Sequence, residues 1–146
     1  MGSLTSKHEK NKKLGVYIPN LLDITVIKVY DGDTITISAK VSRLSSQYYK
    51  WSVRFRGIDT PEMKGKTDDE KTAAVIARDN LSNKILNKKI LLKNVAYDKY
   101  GRLLADVYLG KLCLNKWMLD NRYGVSYDGG TKHIPKSWID YQNNKI

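Results

Sequence analysis

The dipeptide Asp31-Gly32 stands between two runs rich in β-branched residues, and it forces the chain to turn back on itself. An Asp-Gly pair favours a two-residue hairpin loop. Glycine enters backbone regions closed to other residues, and the short aspartate side chain can accept from nearby backbone N–H groups. Leu22–Tyr30 is therefore expected as an incoming strand. Thr34-Ile35-Thr36-Ile37-Ser38 alternates polar and apolar residues, the pattern of a strand with one buried face. After a polar connection over Val41–Lys50, a third strand is expected over Trp51–Ile58. Period two places Val53, Phe55 and Gly57 on one of its faces and Arg54, Arg56 and Ile58 on the other. Thr60-Pro61 stops it. Ile90–Val95 and Arg102–Leu109 supply a fourth and a fifth strand, joined through an Asp98–Gly101 turn.

Two helices interrupt this β pattern. Thr67 to Glu70 has the Thr-x-x-Glu spacing of a capping box, and Ala74, Ala77, Leu81 and Ile85 recur at helical intervals behind it. Asn115 is expected to cap a short helix that carries Met118 and Leu119 inward and that Gly124 closes. Asp128-Gly129-Gly130 reads as loop, and Pro135–Tyr141 as one or two further helical turns. Five short strands, with a helix after the third and another after the fifth, suggest an α+β, mainly β fold. The expected architecture is a five-stranded Greek-key barrel of the OB type with two to three helices. The whole chain of 146 residues suits one such domain over 22–146, preceded by a basic arm and lead-in over 1–21.

Composition narrows the chemistry. Cys113 is the one cysteine, and His8 and His133 are the two histidines, so neither a disulfide nor a cysteine- or histidine-rich metal site is expected. Carboxylates, hydroxyls and cationic side chains are left to do any catalysis. No apolar run has the length of a membrane span. Lysine and arginine outnumber aspartate and glutamate by 26 to 15, a net +11. That excess suits a polyanionic partner such as nucleic acid or an anionic membrane surface, and it is also what a lysine-rich solvated surface gives. The start of the chain, Met1-Gly2-Ser3-Leu4-Thr5-Ser6, matches the N-myristoylation pattern with Gly2 as acceptor, or is left over from cloning. Lys7, Lys10, Lys12 and Lys13 would add electrostatic attraction to an anionic leaflet. With no apolar secretory segment, an intracellular location is expected, membrane-associated if Gly2 is acylated.

The acidic residues Asp31, Asp33, Asp59 and Glu62 stand at turns beside strands. A hairpin accounts for Asp31. Asp33 opens a strand of β-branched residues, a poor place for an aspartate on propensity alone. Arg54 and Arg102 sit in or beside strands. Each arginine alone is weak evidence, but the set suits phosphodiester hydrolysis. A hard cation held by carboxylates and two guanidinium forks can together neutralise a pentavalent phosphate.

The residues Tyr-Asp-Gly-Asp-Thr at 30–34, Val-Arg-Phe-Arg-Gly-Ile-Asp-Thr-Pro-Glu at 53–62 and Asp-Lys-Tyr-Gly-Arg at 98–102 resemble the staphylococcal nuclease (thermonuclease) family in order and spacing. The resemblance covers about residues 22–127 and agrees with the OB-type reading. It implies Ca²⁺ held by Asp33, Asp59 and the backbone carbonyl of Thr60. It implies Glu62 as general base or organiser of the attacking water, and Arg54 and Arg102 as phosphate clamps. Lys99 and Tyr100 would contact a neighbouring phosphate, and Tyr127, with Tyr123 as a second candidate, would stack a base. The implied activity is Ca²⁺-dependent hydrolysis of DNA and RNA by a monomer, preferring single strands and leaving 3′-phosphate and 5′-hydroxyl ends. A catalytically inactive OB module that binds nucleic acid or protein, tethered or not by its arm, is the competing reading. Arg56 departs from the founding enzyme's apolar residue and is expected to be surface charge.

Overall fold

The computed structural model describes residues 14–145, so Gly2 and the basic arm up to Lys13 lie outside the described residues. The chain enters along Leu14–Asn20 without regular structure, its apolar Leu14, Val16 and Tyr17 exposed. Five strands of seven to ten residues then build one sheet: β1 (Leu22–Asp31), β2 (Thr34–Lys40), β3 (Tyr49–Phe55), β5 (Leu91–Tyr97) and β6 (Leu103–Leu109). Short strands complete the set: β4 (Ile58–Asp59), β7 (Leu112–Cys113) and β8 (Val125–Ser126). The helices are α1 (Asp68–Ile85), α2 (Leu114–Asp120) and α3 (Trp138–Gln142).

The sheet runs β1-β2-β3-β6-β5, and β7 adds to β6. All its long pairings are antiparallel except β3 with β6, where Val53, Arg54 and Phe55 align in parallel with Leu103, Leu104 and Ala105. The two edges curl toward each other. Asn87 N–H donates to the Val26 carbonyl, Val26 N–H to Lys88 and Ile90 N–H to Ile24, and Thr25 bridges Lys89. This seam joins β1 to the segment before β5 and gives the OB-type α+β fold.

Alternation along the strands fills the interior. Val26, Ile35, Ile37, Val53, Phe55, Ala105 and Val107 are fully buried, and α1 closes one end with Ala77, Leu81 and Ile85. Helix α1 begins as its sequence suggests, the Thr67 hydroxyl accepting from Glu70 N–H. The Glu70 side chain does not return to Thr67. Its carboxylate accepts instead from Glu62 N–H at 3.4 Å, which ties the helix to the loop ahead of it.

Four local expectations change. The β1–β2 loop is Gly32-Asp33, one residue later than expected, because Asp31 still pairs with Thr34. Asn115 does not cap α2, since Cys113 holds that position without a side-chain bond. The buried Asn115 amide accepts from Val107 N–H and donates to the carbonyls of Arg56 and Ala105, riveting three segments. Gly124 does not close α2 either; Asn121 and the left-handed Arg122 do so. A Cβ at Gly124 would lie 2.9 Å from the Asp59 carbonyl oxygen, so the glycine allows β8 to approach β4. Ile58 does not share the face of Arg54. The left-handed Gly57 (φ +79°) breaks the alternation and turns Ile58 into the core.

Candidate active site

The β1–β2 turn builds the first wall of the site. Asp33 N–H donates to Asp31 Oδ1 at 3.0 Å, so the turn is held by its own aspartate. Gly32 does not use a left-handed conformation here. A Cβ on it would meet the Thr60 side chain at 3.0 Å and Met118 Cε at 3.1 Å, so close packing is what demands glycine. The Asp33 carboxylate is buried. It accepts from the Thr34 hydroxyl at 3.1 Å and from Thr60 N–H at 3.2 Å, and thus links the hairpin to the end of β4.

Arg54 fills the space between two such carboxylates. Its guanidinium lies 3.1 Å from Asp33 Oδ2 and 3.7 Å from Asp59 Oδ1, and it donates to the Phe55 carbonyl at 3.0 Å. The side chain is only 14% exposed. The parallel β3–β6 register sets the second arginine. Arg54 aligns with Leu104, and Arg102, two residues before it, therefore falls on the same outer face. Arg102 is anchored by Asp98, whose Oδ2 accepts from Nε at 2.6 Å. Burial pushes the Asp98 carboxyl up, but hydrogen bonds from Arg102 and from the Tyr100 backbone outweigh it and hold it below the usual carboxylate range.

These groups open onto one cleft of about 1150 Å³, which also receives Lys99, Tyr100, Glu62 and Tyr127. Tyr100 is 73% exposed, with Lys99 Nζ 5.2 Å and Arg102 Cζ 5.5 Å from its ring centre. Tyr127 is fixed at its backbone, donating to the Gly57 carbonyl at 2.9 Å. Tyr123 packs against Trp117 beside the core and does not face the cleft. Arg56 lines the cleft and donates to the Asn94 carbonyl. Glu62 is exposed on the loop before α1. Gly65 allows that loop to fold over Glu70, which a Cβ at 65 would strike at 2.6 Å.

The sequence reading missed Lys132. Its ammonium stands 3.4 Å from Asp59 Oδ1 and 4.0 Å from Glu62 Oε1, and 5.5 Å from the Tyr127 ring centre. It comes from the irregular segment between β8 and α3, 73 residues from Asp59, where no local pattern marks it.

The acids bear on metal binding. Among the described residues, no three His, Cys, Asp or Glu side chains converge as a ready cage. Burial and the neighbouring Asp33 push the Asp31 carboxyl up to about 7. Burial also raises Asp59, with Lys132 opposing the shift and Asp33 adding to it. The Thr60 hydroxyl is buried without a hydrogen-bond partner among the described residues. Crowded, partly desolvated oxygen donors of this kind suit a hard cation.

The fold and site together define an OB-fold domain with a two-arginine anion cleft walled by buried carboxylates. The chain belongs to the staphylococcal nuclease family: the family model for the staphylococcal nuclease homologue matches residues 52–137. It is 29% identical over 144 residues to endonuclease YncB of Bacillus subtilis (strain 168), covering 94% of this chain and 62% of that protein. The prophage-derived endonuclease YokF of the same organism is 31% identical over 133 residues, covering 86% of this chain and 42% of that one. Thermonuclease of Staphylococcus hyicus is 31% identical over 107 residues, covering 72% of this chain and 59% of that one. The chain thus spans 42% to 62% of the length of these relatives.

Proposed function

We propose that this chain is a Ca²⁺-dependent nuclease that hydrolyses phosphodiester bonds of DNA and RNA with little sequence preference. The observation that carries the reading is Arg54, held between the buried Asp33 and Asp59 in the same cleft as Arg102 and Glu62. The names of the similar proteins, two endonucleases and a thermonuclease, support it.

In this reading the scissile phosphate lies over the two arginines. Their paired N–H groups match its oxygens and take up charge as the phosphorus becomes five-coordinate. Glu62, exposed in the cleft, accepts a proton from the attacking water. The water oxygen bonds to phosphorus, the bond from phosphorus to the 5′-oxygen breaks, and that oxygen leaves as a hydroxyl with a proton from bulk water, to which Glu62 returns the one it accepted. The 3′ side keeps the phosphate. Asp33, Asp59 and the Thr60 carbonyl would hold Ca²⁺, which when bound adds Lewis-acid stabilisation of the phosphate. Lys99 and Tyr100 take the adjacent phosphate, and Tyr127 offers a stacking face that every base can use.

The test is hydrolysis of single-stranded DNA by the purified chain, with Ca²⁺ and with excess chelator. Cleavage that disappears with chelator supports the reading. Undiminished cleavage in chelator removes the metal from it, and binding without cleavage under both conditions favours the inactive OB module.

A further inference from the structure

The cleft extends past the arginine pair. β2 and β3 pair Thr34 with Arg54 and Thr36 with Ser52, and β1 and β2 pair Lys28 with Thr36. Strands lie about 4.8 Å apart. Lys28, Thr36 and Ser52 therefore form a row across three strands, one step along from the row that carries Arg54. All three line the same cleft as Arg54, and so does Tyr30.

β1 is shaped to present its two residues outward. The register shifts between Val26 and Lys28 and between Val29 and Asp31 leave Ile27 and Tyr30 without an opposite residue. Such bulges re-aim side chains. Tyr30 is left 46% exposed, and Lys28 Nζ lies 5.9 Å from its ring centre. Lys28 makes no ion pair among the described residues, and its row holds only hydroxyl side chains besides. The same pairing of lysine and exposed tyrosine recurs at Lys99 and Tyr100. In strand order the two pairs lie on opposite sides of β3 and Arg54, one on β1 and the other between β5 and β6.

We propose that Lys28 and Tyr30 form a second nucleotide site for single-stranded substrate, on the far side of the arginine pair from Lys99 and Tyr100. The strand crosses β3 over Ser52 and β2 over Thr36. A base stacks on Tyr30 and a phosphate meets the Lys28 ammonium. This inference rests on the proposed nuclease reading and adds a direction to it: substrates must be long enough to reach β1.

The experiment compares the unmodified protein with Tyr30→Ala, Tyr30→Phe and Lys28→Ala. Fluorescence anisotropy measures binding of labelled oligothymidylates of two and eight nucleotides in chelator, and hydrolysis of both lengths is followed in Ca²⁺. Tyr30→Ala should weaken binding of the eight-mer roughly tenfold, the scale of one lost base stack, and lower the ratio of eight-mer to two-mer kcat/KM to match. Tyr30→Phe keeps the ring and should restore both. Lys28→Ala should reduce the slope of log binding constant against log salt by about 0.7 for the eight-mer. Equal losses on both lengths, or no loss on the eight-mer, overturn the site while the nuclease reading stands. Failure of the unmodified protein to bind or cleave either length overturns both.

Discussion

Arg54 contacts two buried carboxylates and a carbonyl, and no substitution keeps that geometry. Lysine would retain the charge but lose the fork. Arg54→Lys and Arg102→Lys are each expected to lower kcat roughly a hundredfold, the scale of one lost transition-state donor. Steady-state hydrolysis of single-stranded DNA checks this, and near-normal turnover in both variants would end the clamp assignment. Glu62 is exposed, and Lys132 Nζ stands 4.0 Å from its carboxylate. Glu62→Gln should therefore keep the fold and oligonucleotide affinity while turnover collapses, with binding and rate measured on one preparation. Lys132 approaches Asp59 and Glu62 from outside the core. Removing its charge should strengthen the proposed Ca²⁺ binding at the carboxylates. Calorimetric titration of Lys132→Ala with Ca²⁺ reads that directly, and weaker binding would show that the ammonium supports the site.

At the scale of elements, α1 reaches in two directions. Its Glu70 steadies the loop of Glu62, and its Asp69 accepts from the Ser137 hydroxyl at 2.7 Å and from Trp138 N–H at 2.8 Å, docking α3. Asp69→Ala is expected to loosen α3 and cost about 1–3 kcal/mol in urea unfolding, since two buried-side donors lose their acceptor. The elements that were legible from sequence are those whose cause is local. The hairpin follows from its turn residues to within one position, and α1 from Thr67 and its apolar spacing. Residues whose role is tertiary were misread or missed. Gly124 looks like a helix stop, yet it is glycine because β4 passes behind it. Asn115 looks like a cap and is a rivet between segments up to 59 residues away. Ile58 left its expected face because Gly57 adopts a backbone angle that period-two reasoning ignores.

For the whole molecule, the positive net charge meets acids that the fold has gathered at one place. Asp98 links the site to overall stability. Its carboxyl is held below the unfolded reference of about 3.9, so its contribution is present above that pH and is lost as pH falls through the lower folded value. Asp98→Asn should thus be less stable than the unmodified chain at pH 6, with the gap narrowing below about pH 4. Denaturant titrations at both pH values measure it, and a gap that persists unchanged in acid would assign the effect to packing instead.

The parallel pairing of β3 with β6 also sets a timetable. Val53 and Leu103 are 50 positions apart, and Arg54 and Arg102 share a face only through that register. On a ribosome, the hairpin of β1 and β2, β3 and all of α1 emerge before β6 is made. Contacts that close so long a loop form late, because the chain entropy must be given up before the pairing returns anything. The emerging chain therefore carries its carboxylates and Arg54 without Arg102, and the proposed phosphate clamp comes into being only when β6 docks. In the proposed reading, hydrolysis of nucleic acid would therefore wait until β6 had emerged and docked against β3.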